Sequence, residues 1–109
     1  MISWSDFEKV EMRIGTVIQV RDFPAARNPS YQLWVDFGEW GIKKSSAQLT
    51  SLYTKETLLQ KQVIAVINLP VKQIGNFFSE CLILGAIGEN NTITLLQPEQ
   101  KTANGLRIG

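Results

Sequence analysis

Residues 42–69, IKKSSAQLTSLYTKETLLQKQVIAVINL, decide the fold of this chain. The first eight residues of the stretch are mostly polar, as in a half-exposed strand, and the last seven are apolar except for Asn68, as in a buried strand. Between these strands, Thr54 suits the N-cap position and Glu56 suits the first turn of a helix. The stretch therefore predicts a strand, one short helix over residues 54–60, and another strand.

Two further strands and a helix are predicted before this stretch. Residues 12–22 alternate, and the side chains on the predicted inner face are Met12, Ile14, Thr16, Ile18 and Val20. Gly15 lies on the opposite face and indicates a bend or a bulge. Residues 31–37 alternate in the same way. Ahead of both strands, Ser5 and Glu8 fit a capping box, which predicts a short N-terminal helix.

After the stretch, a turn-rich connection leads to an apolar strand over residues 81–87, and a last strand is predicted over residues 92–96. The first three strands, the helix and the next two strands follow the order of an OB-fold. The sequence therefore predicts one domain over residues 1–109, an all-β, five-stranded OB-fold Greek-key barrel with a short helix between strands 3 and 4 and an N-terminal helix. The alternative is an immunoglobulin-like sandwich, but that fold has about seven strands and no helix at this point.

The charge of the chain is balanced overall and uneven locally. The net charge of +1 argues against a generally basic nucleic-acid protein. Residues 41–75, however, carry five lysines against the single Glu56. Either this segment forms a solvated lysine face, or it meets anionic ligands.

The residues that most enzymes and metal sites need are missing from the sequence. The chain has no histidine, which removes the commonest general base and metal ligand. Cys81 is the only cysteine, and its place in an apolar strand predicts a packed thiol. No glycine-rich phosphate loop and no paired-cysteine zinc motif is present. We therefore expect no enzyme activity, no cofactor and no metal.

The start of the sequence, MISWSD, lacks the basic and apolar regions of a signal peptide. No apolar run approaches the roughly 20 residues that span a bilayer. We therefore expect a cytoplasmic protein without membrane insertion.

Candidate binding residues fall in three places. Strands 2 and 3 of an OB-fold form the usual ligand platform, and alternation puts Lys44, Ser46 and Gln48 on one face of the third strand. Trp34, on the polar face of the second strand, indicates a groove, a subunit contact or cover by a loop. Of Phe77 and Phe78 in the turn-rich connection, either one is an exposed platform or both pack against the barrel.

Several segments resemble a known family. Residues 12–17, MRIGTV, are similar to the opening strand of the tRNA-binding-domain family, which includes a free-standing tRNA-binding protein and domains of methionyl-tRNA synthetases. Other segments resemble the CsaA-type secretion chaperones within that family, namely residues 35–39, 44–50, 85–87, 95–98 and 104–105. The resemblance covers almost the whole chain, and the Ser-Ser-Ala-Gln run is its most specific part.

The resemblance implies an OB-fold homodimer that acts as a chaperone for unfolded or exported preproteins and shares its surface with tRNA. By analogy with the family, dimer contacts are expected at the N-terminal helix and after Thr92. Asn68, Lys72 and Ser79 match positions of the family's tRNA-binding motif. The arginines that accompany them in tRNA binders are missing here, and Cys81 and Leu82 replace a Gly-Met pair. Loss of phosphate-neutralising charge weakens RNA binding, whereas added phenylalanines favour an apolar peptide groove.

These arguments give one set of candidate peptide- or RNA-binding residues: Trp34, Lys44, Ser46, Gln48, Asn68, Lys72, Asn76, Phe77, Phe78 and Ser79. The alternative function is that of a structure-specific tRNA-binding protein without a chaperone role.

Overall fold

The structure is a computed structural model that describes all 109 residues of the chain. Its helices and strands are α1 (Trp4–Glu8), β1 (Met12–Asp22), β2 (Tyr31–Asp36), β3 (Ile42–Ala47), α2 (Lys55–Leu58), β4 (Gln62–Val66), β5 (Lys72–Ile74), β6 (Phe77–Ser79), β7 (Leu82–Ile83), β8 (Gly85–Ile87) and β9 (Ile93–Leu95). Short 3-10 turns cover Gly38–Trp40 and Glu89–Asn91.

Five antiparallel strands form the main sheet in the order β3-β2-β1-β4-β7. Its two edges approach each other where the Glu80 amide donates to the Lys44 carbonyl at 2.7 Å, so the sheet curls into a nearly closed barrel. Helix α2 lies between β3 and β4 in the chain, and β8 and β9 form a separate two-stranded sheet. This architecture confirms the predicted OB-fold barrel with its two helices.

The core of the barrel forms around the alternating residues of β2. Leu33 and Val35 are fully buried, as is Phe37 directly after the strand. Leu58 of α2 joins the same cluster, so burial of this one side chain ties the short helix to the barrel. The predicted N-cap of α2 is also confirmed, because the Thr57 amide donates to Thr54 Oγ1 at 3.1 Å.

Strand β1 differs from its predicted alternation because it contains a bulge. The register shifts between Val17 and Gln19, so Val17 points into the core and Ile18 is 38% exposed. Gly15 also faces inward, where a Cβ atom would lie 2.7 Å from Cε1 of Phe37. The predicted inner face was therefore wrong for Ile18 and for Gly15. A bulge inserts one residue and reverses the alternation beyond it, so Gly15 and Val17 face inward before the bulge and Val20 packs against the core after it.

The connection between β4 and β7 contains a β-hairpin that the sequence did not predict. Strands β5 and β6 pair through Lys72 with Ser79 and Ile74 with Phe77. The predicted strand over residues 81–87 is also divided, since β7 pairs with β4 whereas β8 pairs with β9. One apolar run therefore serves two sheets.

The two ends of the chain lie close to each other, since Arg107 Nη2 donates to the Glu8 carbonyl at 2.7 Å. The capping box of α1 is formed by Ser3 and Asp6, with backbone-to-side-chain hydrogen bonds of 3.1 and 3.2 Å, and not by Ser5 and Glu8. Both pairs have the same spacing of three residues, which is why the sequence pattern allowed either. None of the helices has the length and apolar character that a bilayer crossing requires.

The segment after Ala103 runs beside the first half of β1. The Gly105 amide donates to the Ile14 carbonyl at 2.7 Å, and the Ile14 amide donates to the Leu106 carbonyl at 3.0 Å. Asn104 Oδ1 accepts from Thr16 Oγ1 at 2.7 Å and from Gln62 Nε2 at 3.2 Å. This segment therefore pairs with the part of the β1 edge that lies ahead of the pairing between β1 and β2.

Candidate functional site

The outer face of β1, β2 and β3 carries a row of cations and aromatic rings. Trp34 and Lys44 are cross-strand partners, so their side chains lie next to each other. The Arg21 guanidinium lies over the Trp34 ring at 5.3 Å. Trp34 is half-buried and meets the edge of Phe77 at 5.9 Å between ring centroids. The structure thus places Trp34 under the hairpin, one of the alternatives that the sequence left open.

The two adjacent phenylalanines of β6 point to opposite faces of the hairpin. Phe77 is 7% exposed and packs between Trp34 and Phe23, whose ring centroid is 5.3 Å away. Phe78 is 45% exposed. Lys44 Nζ lies 5.3 Å from the Phe77 ring and 5.8 Å from the Phe78 ring. Phe77 therefore anchors the hairpin, and Phe78 is the ring available to a ligand.

A surface groove of about 390 Å³ lies between β3, the loop before β2 and the inner face of the hairpin. Four of the predicted site residues line it: Ser46, Gln48, Lys72 and Ser79. Ser79 Oγ accepts a hydrogen bond from the Ser46 amide at 3.1 Å, which holds the hairpin against β3. We call this space the polar groove.

The polar groove is lined by positive charge, and the Glu80 carboxylate lies beside it, where Oε1 accepts from the Lys44 backbone amide at 2.9 Å. Arg27 and Lys72 line it, and no carboxylate does. The only ion pairs of the structure are Lys9–Asp6, Arg13–Glu11 and Lys55–Asp22. The cations of the outer face and of the polar groove therefore form no ion pair with a carboxylate. These cations are Arg21, Arg27, Lys44 and Lys72. Such a cluster attracts anions.

A second groove, of about 450 Å³, adjoins the first and lies along the seam between β3 and β7. The two grooves share Ser46, Gln48 and Leu82. The second groove extends to Ile87 and Ile93, and no charged side chain lines it. We call it the apolar groove. Ile87 is 81% exposed, so this groove offers an apolar surface to a partner.

Six predicted site residues line neither groove: Trp34, Lys44, Phe77 and Phe78 belong to the outer face and the hairpin described above, and Asn68 and Asn76 lie elsewhere. The Asn68 side chain fastens α1 to β4, since Oδ1 accepts from the Glu11 amide at 2.9 Å and Nδ2 donates to the Lys9 carbonyl at 2.7 Å. Both ends of the amide are therefore engaged within the chain, and its role as a binding residue stays a prediction. Asn76 is exposed in the turn of the hairpin, beyond both grooves.

Cys81 lies at the base of the polar groove with its thiol buried. Burial raises the pKa of this thiol to about 12. Its Sγ donates to the Lys44 carbonyl at 3.6 Å, while the Cys81 carbonyl accepts from Ser45 Oγ at 2.9 Å. The predicted packed thiol is confirmed, and it is protonated at neutral pH. No group of three or more metal-ligating side chains is close enough to hold a metal ion.

Sequence reasoning missed the basic residues outside the lysine-rich segment and the apolar residues of the seam. Arg27 stands in a loop without a pattern, and Arg21 ends an alternating strand. Leu82 and Ile87 belong to a run that reads as a buried strand. Leu82 and Ile87 are exposed because the run is divided between two sheets. No local sequence pattern indicates that division.

The structure and the sequence both match known proteins. The family model described as "Putative tRNA binding domain" matches residues 12–107. A crystal structure of the chaperone CsaA from Bacillus anthracis is 43% identical with a TM-score of 0.96, covering 100% of this chain and 99% of that chain. The CsaA chaperone from Picrophilus torridus is 44% identical with a TM-score of 0.92, covering 100% of both chains.

Among curated proteins, methionine–tRNA ligases are similar over this length. The ligase of Thermococcus onnurineus is 32% identical over 108 residues, and that of Pyrococcus horikoshii is 34% identical over 108 residues. Each match covers 98% of this chain, but the chain spans only 14% of either ligase. The likeness to the ligases is therefore confined to a small part of them.

Proposed function

The chain belongs to the tRNA-binding-domain family and is similar to the CsaA chaperones, as its sequence indicated, and on that premise we propose that it is a chaperone for unfolded or exported preproteins. The observation that carries this proposal is that the two grooves adjoin at Ser46, Gln48 and Leu82. An extended polypeptide lies in a continuous groove and places alternate side chains in it.

The apolar groove supplies the affinity in this proposal. Unfolded segments expose apolar side chains, and contact with Leu82, Ile87 and Ile93 removes those side chains from water. Phe78, exposed on the outer face of the hairpin, is a further apolar contact. The polar groove would then hold the part of the client that carries polar groups.

The proposed functional unit is a homodimer in which residues 1–109 act as a single tRNA-binding-type OB-fold domain. Support comes from exposed apolar side chains at the N-terminus, where Trp4 is 83% exposed, beside a small depression lined by Phe7, Val10 and Ile108. A monomer rarely leaves such a cluster in water. A cytoplasmic location remains part of the proposal.

A second candidate function is tRNA binding through the same surface, with or without the chaperone role. The four unpaired cations of the outer face favour it, because binding to phosphates is driven by release of counterions. Arg21 and Arg27 supply charge that the connection after β4 lacks. In both candidates the protein is a binding module and not an enzyme, in keeping with a sequence that contains no histidine.

Binding of an unfolded preprotein peptide and of unfractionated tRNA, each at low and at near-physiological salt, tests both candidates. Leu82→Ser should weaken peptide binding by about tenfold, since it removes an apolar contact worth roughly 1–3 kcal/mol. Leu69→Ser is the matched control, because Leu69 is equally exposed but lines neither groove. Equal loss in both variants, or no peptide binding, would refute the chaperone site.

For tRNA, Lys44→Ala and Lys72→Ala should each weaken binding and flatten its dependence on salt. Lys101→Ala is the control, since this lysine lines a separate polar depression with Gln60 and Gln62. If the control weakens tRNA binding as much as the groove variants do, the RNA site is elsewhere.

A further inference from the structure

We propose that the Asn104–Gly105 peptide is a latent site of deamidation and backbone isomerisation, which the fold keeps closed by pairing the segment after Ala103 with β1. Asn104 is the only asparagine of the chain that precedes a glycine. A glycine has no side chain to shield its own amide nitrogen, so an Asn-Gly pair undergoes this reaction readily in an unfolded chain. The site lies outside both grooves, and water is its only co-reactant.

The reaction is intramolecular until its last step. The Gly105 amide nitrogen gives up its proton and attacks Cγ of Asn104, the bond from Cγ to Nδ2 breaks, and ammonia leaves with that proton. The product is a cyclic succinimide. Water then opens the ring at one of its two carbonyls, which gives either aspartate or isoaspartate. In isoaspartate the main chain runs through the former side chain and is longer by a methylene group.

The packing of the barrel requires both members of this reactive pair. Gly105 has a φ of 91°, and a Cβ atom there would lie 2.7 Å from the Phe37 carbonyl oxygen, so the position suits glycine alone. Asn104 supplies the acceptor Oδ1, which receives hydrogen bonds from Thr16 Oγ1 at 2.7 Å and from Gln62 Nε2 at 3.2 Å. The fold therefore places a chemically labile pair where it needs a tight turn and an acceptor.

The same contacts hold the reacting groups in other interactions. Attack needs a free nitrogen and an asparagine side chain turned onto its own main chain. In the fold, the Gly105 amide donates to the Ile14 carbonyl at 2.7 Å, and Oδ1 of Asn104 is held by its two donors. Both groups are released only when the segment after Ala103 detaches from β1. The rate in the folded protein should therefore follow the small fraction of molecules in which this segment is detached.

The two products have different effects on the fold. Asn104 Nδ2 makes no hydrogen bond, so an aspartate carboxylate in its place can accept from the same two donors and leave the segment attached. Isoaspartate lengthens the main chain directly ahead of Gly105, so the hydrogen bond from this amide to Ile14 loses its register. Detachment also displaces Arg107 and Ile108, which line the depression beside α1.

The test follows isoaspartate in the full chain at mildly alkaline pH, by peptide mass spectrometry and by enzymatic methylation of isoaspartyl groups. The folded wild type should react at least about tenfold more slowly than the same chain in urea. Thr16→Val keeps the side-chain shape but removes one hydrogen bond to Asn104, so it should raise the rate in the folded protein by about fivefold. Thr94→Val, at an exposed threonine of β9, is the matched control and should leave the rate unchanged. In urea all three chains should react at the same rate.

Hydrogen exchange separates the effects of the two products. Chains with isoaspartate at position 104, isolated by ion exchange from aged wild type, should exchange the Ile14 amide at least about tenfold faster than fresh wild type. Asn104→Asp carries the same charge without the longer main chain, so its Ile14 amide should stay slow. Equal rates of isoaspartate formation in the folded and unfolded chains would overturn the proposal, and so would slow exchange in the isolated isoaspartate form.

Discussion

At the scale of single residues, Phe77 and Phe78 are neighbours in sequence with separate roles in the structure. Phe77 is buried against Phe23 and Trp34, so Phe77→Ala should lower the free energy of unfolding by about 3 kcal/mol. Phe78→Ala should cost less than about 1 kcal/mol, because the ring is largely in water. Urea unfolding followed by circular dichroism measures both values. Equal losses of unfolding free energy would contradict the conclusion that Phe77 anchors the hairpin and that Phe78 is free for a ligand.

Gly15 tests the packing of the barrel core. A Cβ atom at this position would lie 2.5 Å from Cγ1 of Val35 and 2.7 Å from Cε1 of Phe37. Gly15→Ala should therefore destabilise the protein by about 2–3 kcal/mol through overpacking. Gly75→Ala is the control, because its Cβ would meet open space and only the positive φ of 59° costs energy, about 1–2 kcal/mol. A smaller loss at Gly15 than at Gly75 in urea unfolding would refute this packing.

Cys81 gives a prediction about pH. Burial raises the pKa of its thiol to about 12, above the ordinary value of about 8.5 in an unfolded chain. The folded protein holds this proton more tightly, so the contribution of Cys81 to stability is complete below pH of about 8.5 and is lost as the pH rises toward the folded pKa. The stability difference between the wild type and Cys81→Ala should therefore shrink between pH 9 and pH 11.

Thiol labelling provides an independent measurement for Cys81. A chromogenic disulfide reagent at pH about 9 should react slowly with the folded protein and rapidly with the urea-unfolded chain, because only the thiolate attacks. Rapid labelling of the folded protein would show that the thiol is ionised and accessible.

Local patterns predicted some of these residues and missed others. Alternation put Lys44, Ser46 and Gln48 on one face of the third strand without deciding which face is the inner one, and the structure decides it by burying Ser45 of the other face. The sequence left open whether one of Phe77 and Phe78 is exposed or both pack against the barrel, and it did not indicate which ring would be exposed. The choice depends on Phe23 and Trp34, which lie more than forty residues away along the chain. The hydrogen bonds of Asn68 were likewise out of reach of local patterns, since its partners Lys9 and Glu11 follow α1, more than fifty residues away along the chain.

At the scale of elements, the segment after Ala103 is held to β1 by the side chain of Asn104. Asn104→Ala removes the acceptor of both Thr16 Oγ1 and Gln62 Nε2, so the segment should detach more often. Hydrogen exchange at the amides of Ile14 and Gly105 should then accelerate by about tenfold, in proportion to roughly 1.4 kcal/mol of lost stability.

The Val17 amide is the internal control for that measurement. It donates to the Lys61 carbonyl at 3.0 Å on the other side of β1, so its exchange should stay slow in Asn104→Ala. Acceleration at Val17 as well would mean that the substitution loosens the whole barrel rather than one segment.

Elements with long, regular patterns were predictable, and short ones were not. The alternation of β2 and the cap of α2 lie within a few residues, so sequence alone indicates them. The strands of the hairpin have three residues each, too few for a pattern to stand out. The bulge in β1 depends on the pairing with β2, and the division between β7 and β8 depends on β4 and β9. Such features follow from tertiary pairing.

At the scale of the whole molecule, the proposed homodimer depends on apolar side chains near the N-terminus. Trp4→Ser should shift the protein from dimer to monomer in sedimentation equilibrium at micromolar concentrations, because a large exposed aromatic contributes strongly to an interface. Val71→Ser, on the exposed connection after β4, is the control and should leave the mass unchanged. A wild-type chain that sediments as a monomer would refute the proposal.

The hairpin forms a sheet of its own and is joined to the barrel mainly through Phe77 and Ser79. The side chains of Gln73, Asn76 and Phe78 on the hairpin are exposed and make no hydrogen bond to the barrel. Substitutions at such positions are close to neutral for folding. Variation can therefore accumulate there by drift, and selection can act on new ligand preferences while the barrel sequence stays constant. In this architecture, the evolution of specificity is separated from the evolution of stability.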